Sequence, residues 1–224
     1  MLPFALALAP LVHAPDGYRL KPITQCFAIE RQGQVIGATY QRIVAVKRDG
    51  MKAWDIVVHQ RAGNGRFDMR DHFILAATNL LPLSFDSRVS NKPHVNLTYR
   101  PGRVMGSRIN ADGTTVPINV LTNGPVWEGN LWGVTFGALP LAEGAHLTLP
   151  TYQYDQGVGA FDLKVTGSEQ VDTPNGKVAA WTVDIEVAPG RINTSLIDKA
   201  TGTELGSRAP GFATRLGGDC RGLG

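Results

Sequence analysis

Cysteine is scarce in this chain of 224 residues, and long apolar runs are missing. The two cysteines, Cys26 and Cys220, lie at opposite ends, so neither a CxxC pair nor a cysteine zinc site is predicted. No stretch reaches the roughly eighteen apolar residues that a membrane-spanning helix needs. Basic residues are scattered at a net charge of +3, so no nucleic-acid surface is predicted.

Sequence motifs for catalysis are also missing. The chain has no GxSxG, HExxH, P-loop or GxGxxG signature with a following ribose carboxylate. Its five histidines lie at positions 13, 59, 72, 94 and 146 without metal-pair spacing, although a hairpin could bring His59, His72 and Asp71 together. We therefore predict no metal site and no cofactor, and interpret the histidines as solvated strand residues.

Period-two alternation is the clearest pattern that the chain does contain. Phe161, Leu163 and Val165 alternate with polar residues, and the alternation resumes over 179–187 after a turn-prone Thr-Pro-Asn-Gly at 173–176. Successive side chains of a strand point to opposite faces, so each strand has one apolar and one solvated face. This is typical of an antiparallel sheet that covers a core on one side.

Turn signals divide most of the remaining chain into short strands. Asp49-Gly50 and Pro101-Gly102 are examples, and glycine (26) and proline (14) are plentiful. We predict a mainly β fold, with one curled antiparallel sheet (a half-barrel or β-roll) wrapped around a short helix. It would form a single domain over 15–224 with an irregular tail from about residue 210.

One region, residues 125–141, has a helical rather than a strand period. Trp127, Leu131 and Val134 follow the i, i+4, i+7 spacing of one helix face. Its glycines weaken a helix, each by up to about 1 kcal/mol relative to alanine. The helix is therefore expected to bury its bulky face on or inside the sheet.

The N-terminal residues 1–14 are uncharged at pH 7 and end in alanine, as in a secretory signal. Two features oppose this interpretation, because no basic residue precedes the apolar run and Pro15 would follow the cut. The alternative is an apolar arm that packs on the domain. In an exported protein Cys26 and Cys220 would be candidates for a disulfide, and otherwise they are two unrelated thiols.

The order of these elements resembles a bacterial family of exported proteins without an assigned function. It is similar in build to the periplasmic lipoprotein carriers (LolA-like), in which a half-barrel or spiral β-roll surrounds a short helix. The likeness spans roughly 24–210 and depends on GQVIG (33–37), TNLLPLSF (78–85), PVWEGNLWGVTFGALPLAEG (125–144), LPTYQYD (149–155), VTGSEQVDTPNGKVAAWTVDIE (165–186) and SLIDKATGTEL (195–205). It implies a periplasmic or secreted protein with a concave, partly apolar cavity, and it implies no catalytic set.

Bulky side chains would converge if the helix lies in the hollow of such a sheet. They either fill the interior as an ordinary core or, in a larger hollow, surround a lipid, an acyl chain or another flat apolar ligand. The candidate ligand-binding residues are Trp127, Leu131, Trp132, Phe136, Tyr152, Phe161 and Trp181.

Three functions therefore remain open. The first is an exported binding or carrier module for an apolar ligand, which predicts an apolar cavity without a buried, strongly pKa-shifted carboxylate. The second is a secreted hydrolase or lyase acting on an ester or glycan polymer, with Asp155 and Asp162, or Asp184 and Glu186, as its carboxylates. The third is a structural or interaction domain with a filled core and an exposed strand edge.

Overall fold

The computed structural model describes residues 13–224. Residues 1–12, which contain most of the predicted signal or arm, lie outside the described residues. Besides a 3₁₀ turn at Gly17–Arg19, the elements are β1 (Ile23–Arg31), β2 (Gln34–Arg48), β3 (Met51–Ala62), β4 (Phe67–Ala76), β5 (Pro82–Val89), β6 (Lys92–Arg100), β7 (Arg103–Ile109), β8 (Thr115–Leu121), β9 (Trp127–Glu128), α1 (Trp132–Gly137), β10 (His146–Gln153), β11 (Gly157–Thr173), β12 (Gly176–Ala188), β13 (Arg191–Asp198), β14 (Glu204–Ala209) and β15 (Phe212–Leu216).

All fifteen strands of the described chain belong to one sheet. Its order is β8-β7-β6-β5-β4-β3-β2-β1-β15-β14-β13-β12-β11-β10-β9, and every neighbouring pair is antiparallel except β9 and β10. The sheet is not closed into a barrel, because β8 and β9 remain its two edges. The predicted mainly β fold, with a single sheet and one short helix, is confirmed.

The hairpins form where turn chemistry predicts them. At Asp49-Gly50, which joins β2 and β3, both residues have positive φ, 49° and 81°. That backbone suits a two-residue turn whose twist matches the flanking strands. The alternating segment around 160–187 forms β11 and β12, although Ala180, expected on the solvated face, is fully buried in a small second cluster with Leu196 and Leu205.

Side chains from strands far apart in the sheet order meet on one face, so the sheet is curled. Phe85 of β5 stacks on Tyr154, just after β10, with ring centroids 6.1 Å apart. In addition, Trp127 of the edge strand β9 reaches the connection between β4 and β5, where its indole N–H donates to the Asn79 carbonyl at 2.9 Å. We call this shared face, which carries the main core, the inner face.

Helix α1 is shorter than the sequence pattern predicts. The stripe from Trp127 indicated a helix across most of 125–141, but Trp127 and Glu128 pair with β10 as a strand and only six residues are helical. The helix is buried against β13 and β14. Gly137 makes this possible, because a Cβ there would lie 1.8 Å from the Gly202 carbonyl oxygen.

The C-terminal tail also differs from expectation. The segment from about 210 was predicted to be irregular, yet Phe212–Leu216 forms β15 between β1 and β14. This strand joins the two halves of the sheet through backbone hydrogen bonds that local sequence pattern does not reveal. Beyond it, Cys220 is linked to Cys26 of β1 by a disulfide, with Cα atoms 5.8 Å apart.

Candidate functional site

The inner face contains a cavity of about 320 Å³ beside the start of α1, which we call the central cavity. It lies over the middle strands of the sheet, β1 to β3 and β13 to β15, and residues 130–133 form its opposite wall. The amides of Gln41, Gln60 and Asn130 line it. This lining is more polar than the apolar hollow that the sequence predicted.

Strand register places several polar residues in one row across the inner face. Each residue of this inner-face row is the direct cross-strand partner of the next, so neighbouring side chains point to the same side. Adjacent strands are about 4.8 Å apart, which sets the spacing along the row. The row consists of Gln25, Gln41, Val58, Asp71 and Ser87.

Within residues 13–224, the buried side-chain polar atoms without a hydrogen-bond partner all belong to this row. They are Gln25 Oε1, Gln41 Nε2, Asp71 Oδ1 and Ser87 Oγ. Buried polar atoms are nearly always paired, because an unpaired one loses its water without compensation. Gln41 lines the central cavity and Gln25 lines a smaller cavity beside it, whereas the half-buried Asp71 and the buried Ser87 lie beyond Val58.

Glu204, at the start of β14, contributes the one carboxyl group of the central cavity. Its backbone carbonyl accepts from Gln25 Nε2 at 3.1 Å, which leaves Gln25 Oε1 unused. Its carboxyl group lies so close to α1 that a Cβ on Gly133 would come within 2.0 Å of Glu204 Cδ. Burial raises the pKa of this carboxyl to about 7.

A second buried carboxyl, Glu128 of β9, lies in the closed interior. It accepts from the Tyr99 hydroxyl, and its Oε1 accepts from Asn130 Nδ2 at 2.7 Å. Burial raises the pKa of Glu128 to about 7, and it raises the pKa of Asp71 to about 6 because it outweighs the effect of the neighbouring Ser87. The charges of Glu128 and Asp71 also disfavour each other.

A different cavity of about 460 Å³, the rim pocket, lies at the β5–β8 end of the sheet. Its lining is mainly apolar, with Leu83 and Val126 among its walls. Arg100 and Arg103 also line it, on either side of the Pro101-Gly102 turn between β6 and β7, and both are exposed. The rim pocket thus combines an apolar interior with two cations, and no carboxyl group of residues 13–224 lines it.

The sequence predicted that an apolar carrier has no buried, strongly pKa-shifted carboxylate. That expectation holds for the lining of the rim pocket. It is wrong for the molecule, which contains Glu128 and Glu204.

The three residues considered for metal binding do not form one cluster. His59 Nε2 lies 2.8 Å from Asp68, and His72 Nε2 lies 3.2 Å from Asp55, while Asp71 faces the core in the inner-face row. No group of three or more histidine, cysteine, aspartate or glutamate residues within 13–224 is arranged to hold a metal ion.

Of the seven candidate ligand-binding residues, only Leu131 and Trp132 line the central cavity, and none lines the rim pocket. Trp181 is half-buried and stacks under the Lys199 ammonium group, 3.7 Å from its ring centroid. The other four belong to the packed core: Trp127, Phe136, Tyr152 and Phe161. For these four the structure favours the ordinary-core interpretation.

The carboxylate pairs considered for hydrolysis line neither cavity. Asp162 accepts from the Thr148 hydroxyl at 2.8 Å, and Asp184 accepts from the Thr194 hydroxyl at 2.6 Å. Asp155 is exposed just after β10. Asp162 and Asp184 thus have the local hydroxyl partners that are typical of a solvated strand face.

Sequence reasoning missed the inward-facing polar residues in and near the central cavity, although a signal was present for two of them. Gln25 lies between Ile23 and Phe27, and Gln41 occupies the equivalent inward position of β2. A polar residue at an inward position of an apolar alternation is a buried polar group, which has to be paired or functional. Glu128 and Glu204 have no comparable local signal.

Comparisons with known proteins identify a family but no function. No curated protein and no solved structure matches the chain. No helix in residues 13–224 has the length and apolarity to cross a membrane. One family matches over residues 26–202, nearly the whole sheet, and the chain therefore belongs to the family described as protein of unknown function, DUF3108.

Proposed function

We propose that this protein is an exported binding or carrier module of the cell envelope, which holds a lipid-like ligand with an anionic head group in the rim pocket. One observation carries the proposal: a largely apolar pocket of about 460 Å³ has two arginines in its lining. Ligand pockets of folded proteins fall in the range of about 300–1,000 Å³ and combine apolar walls with a few polar groups.

The two arginines support an anionic rather than a neutral amphiphile. Arg100 and Arg103 are direct cross-strand partners on either side of the Pro101-Gly102 turn, so the two residues line the same end of the pocket. A guanidinium group binds a carboxylate or phosphate in a bidentate fashion. Leu83 and Val126 provide apolar wall for the acyl chain.

Export is proposed on three grounds. The uncharged apolar run at the N-terminus is typical of a signal, disulfides persist in oxidising compartments, and the order of elements read from the sequence resembles that of periplasmic lipoprotein carriers. Expression of the full chain, followed by N-terminal sequencing of the extracytoplasmic product, tests this part. A product beginning at Pro15 supports export, and a full-length cytoplasmic product opposes it.

Ligand binding is tested by calorimetric titration with palmitate. Leu83→Asp places a charge in the apolar wall and is expected to weaken binding at least about tenfold. The bound alkyl chain would remove water from the new carboxylate, and this desolvation is unfavourable. The matched control is Val158→Asp, since Val158 is 49% exposed in β11 and lines neither cavity.

The head-group contribution is tested separately. Changing Arg100 and Arg103 to glutamine should weaken palmitate binding and reduce its salt dependence. The same change at the exposed Arg48 and Arg66 is the control and should leave palmitate binding unchanged. Binding of the uncharged alcohol with the same chain should be insensitive to both pairs. Wild-type protein that binds no palmitate, or equal binding by Leu83→Asp, would refute the proposal.

A further inference from the structure

The central cavity differs from the rim pocket in chemistry, and it calls for a different occupant. We infer that the central cavity is a second ligand site, which takes an uncharged, hydroxyl-rich ligand of the carbohydrate class. The inference depends on the unpaired amide atoms, on the charge balance of the lining and on its aromatic side chains. It does not depend on the rim pocket or on its proposed occupant.

Two buried amides provide the first argument. Gln41 is only 4% exposed and Gln25 only 7%, yet Gln41 Nε2 and Gln25 Oε1 have no partner within residues 13–224. One is a donor and the other an acceptor, on neighbouring strands of the same row. Only Gln41 lines the central cavity, while Gln25 lines a cavity of about 30 Å³ beside it, which shares Gln41 and Glu204. A ligand hydroxyl group is both donor and acceptor, so it is able to accept from Gln41 Nε2. An alkyl chain would leave that amide unpaired.

The charges of the lining provide the second argument. Glu204 lies against α1 and Arg191 lies at the exposed start of β13, so the lining contains one acidic and one basic side chain. The other polar groups of this lining are amides and hydroxyls, such as those of Gln60, Asn130 and Thr39. Such a lining has no cationic cluster to bind a phosphate and no carboxylate cluster to bind an amine.

Aromatic rings provide the third argument. Phe27, Trp132 and Phe212 all contribute to the lining, and Phe212 is 44% exposed. A sugar ring has an apolar C–H face as well as hydroxyl edges. A cavity that combines ring faces with amides and hydroxyls matches both surfaces, whereas a purely polar solute would leave the rings uncovered.

The inference is tested by binding the full protein to a glycan array of neutral and acidic oligosaccharides, with the strongest ligand then titrated calorimetrically. Wild-type protein is expected to bind neutral glycans. Gln41→Leu removes the donor and should weaken binding about tenfold, the loss of one to two hydrogen bonds. The control Gln170→Leu changes an exposed glutamine of β11 and should bind as the wild type does.

Thermal unfolding separates a binding role from a structural one. If Gln41 Nε2 is kept for a ligand, Gln41→Leu removes an unpaired group, and its unfolding midpoint should equal or exceed that of the wild type. A lower midpoint means that the amide supports the fold and overturns the inference. Gln60→Leu, at a half-buried position of the same lining, gives a second test of binding should Gln41→Leu not fold.

The remaining outcomes are equally decisive. The inference is overturned if the wild type binds no neutral glycan, if it binds only acidic or amine-bearing glycans, or if both Gln41→Leu and Gln60→Leu bind as tightly as the wild type. Palmitate titration is run on the same variants. Unchanged palmitate binding by Gln41→Leu shows that the two sites are separate, so either proposal can fail without the other.

Discussion

The central cavity and the rim pocket are of similar size but differ in polarity. The rim pocket, about 460 Å³, is bounded mainly by apolar side chains of one end of the sheet. The central cavity, about 320 Å³, combines aromatic and aliphatic side chains with amides, hydroxyls, one carboxyl group and one guanidinium group. Both lie in one curled sheet, which presents a single inner face. Polarity along that face therefore varies with the strand, and a half-rolled sheet is not uniformly apolar inside.

The difference follows from where side chains are able to fill the interior. Phe73, Phe85 and Phe136 are fully buried, and with their neighbours they form a continuous core. Over the middle strands β1 and β2 the row changes to Gln25 and Gln41, and an open space begins beside α1. Polar side chains stay in a fold at low cost where water or a ligand reaches them, so polar lining and open space coincide.

The largest effect is expected from removal of the Cys26–Cys220 disulfide, which tests whether the middle of the sheet depends on it. Changing both cysteines to serine should destabilise the protein by about 2–5 kcal/mol in chemical denaturation, because the bond closes a loop of 194 residues. Hydrogen exchange should accelerate in β1 and β15, beside the central cavity, more than in β6 and β7 at the rim pocket. Equal acceleration in all strands would contradict the prediction that the middle of the sheet depends most on the disulfide.

The second prediction concerns the buried carboxyl that belongs to neither cavity. An acid whose pKa rises on folding binds more protons in the folded state, so stability falls as pH rises from the unfolded pKa to the folded one. For Glu128 that window is about pH 4.5 to 7. Glu128→Gln should flatten the fall and gain up to about 3 kcal/mol at neutral pH, measured by denaturation across this range.

Two controls sharpen the prediction for Glu128. Some fall should persist in Glu128→Gln, because the pKa of Asp71 is raised to about 6 and that of Glu204 to about 7. Glu143→Gln changes an exposed carboxylate and should leave the pH profile unaltered. A profile for Glu128→Gln identical to that of the wild type would show that Glu128 ionises without cost.

The third prediction concerns the contact between α1 and the central cavity. Gly133→Ala would bring its Cβ against the end of the Glu204 side chain, which has to move, and is expected to cost about 1 kcal/mol, the low end for overpacking. In a Glu204→Ala background this cost should disappear, because no carboxyl group is left near the new Cβ. The substitution should then stabilise the helix, since alanine favours a helix by up to about 1 kcal/mol over glycine. Gly159→Ala is the control, because nothing lies within 4 Å of a Cβ there. Equal costs in both backgrounds would exclude the collision.

The sequence predicts the elements of this fold better than it predicts its sites. Alternation and turn residues are local, so β11, β12 and the Asp49-Gly50 hairpin follow from them. Trp127 was assigned to a helix because its pairing with β10 depends on a residue far along the chain. The inner-face row is harder still, because Gln41 and Asp71 align only once the register of two hairpins is known, and a one-residue slip would move either to the other face.

The smallest effect is expected at Trp181, which was a candidate for ligand binding and lines neither cavity. Its ring lies under the Lys199 ammonium group, 3.7 Å from the centroid, an arrangement that contributes about 0.5–1 kcal/mol at an accessible position. Lys199→Met should lower the free energy of unfolding by that amount and leave palmitate and glycan binding unchanged. The control Lys92→Met, at an exposed position of β6, should change neither stability nor the binding of either ligand. Weaker binding of palmitate or glycan by Lys199→Met would show that the position of Trp181 affects a ligand site. The two cavities could then no longer be treated as independent.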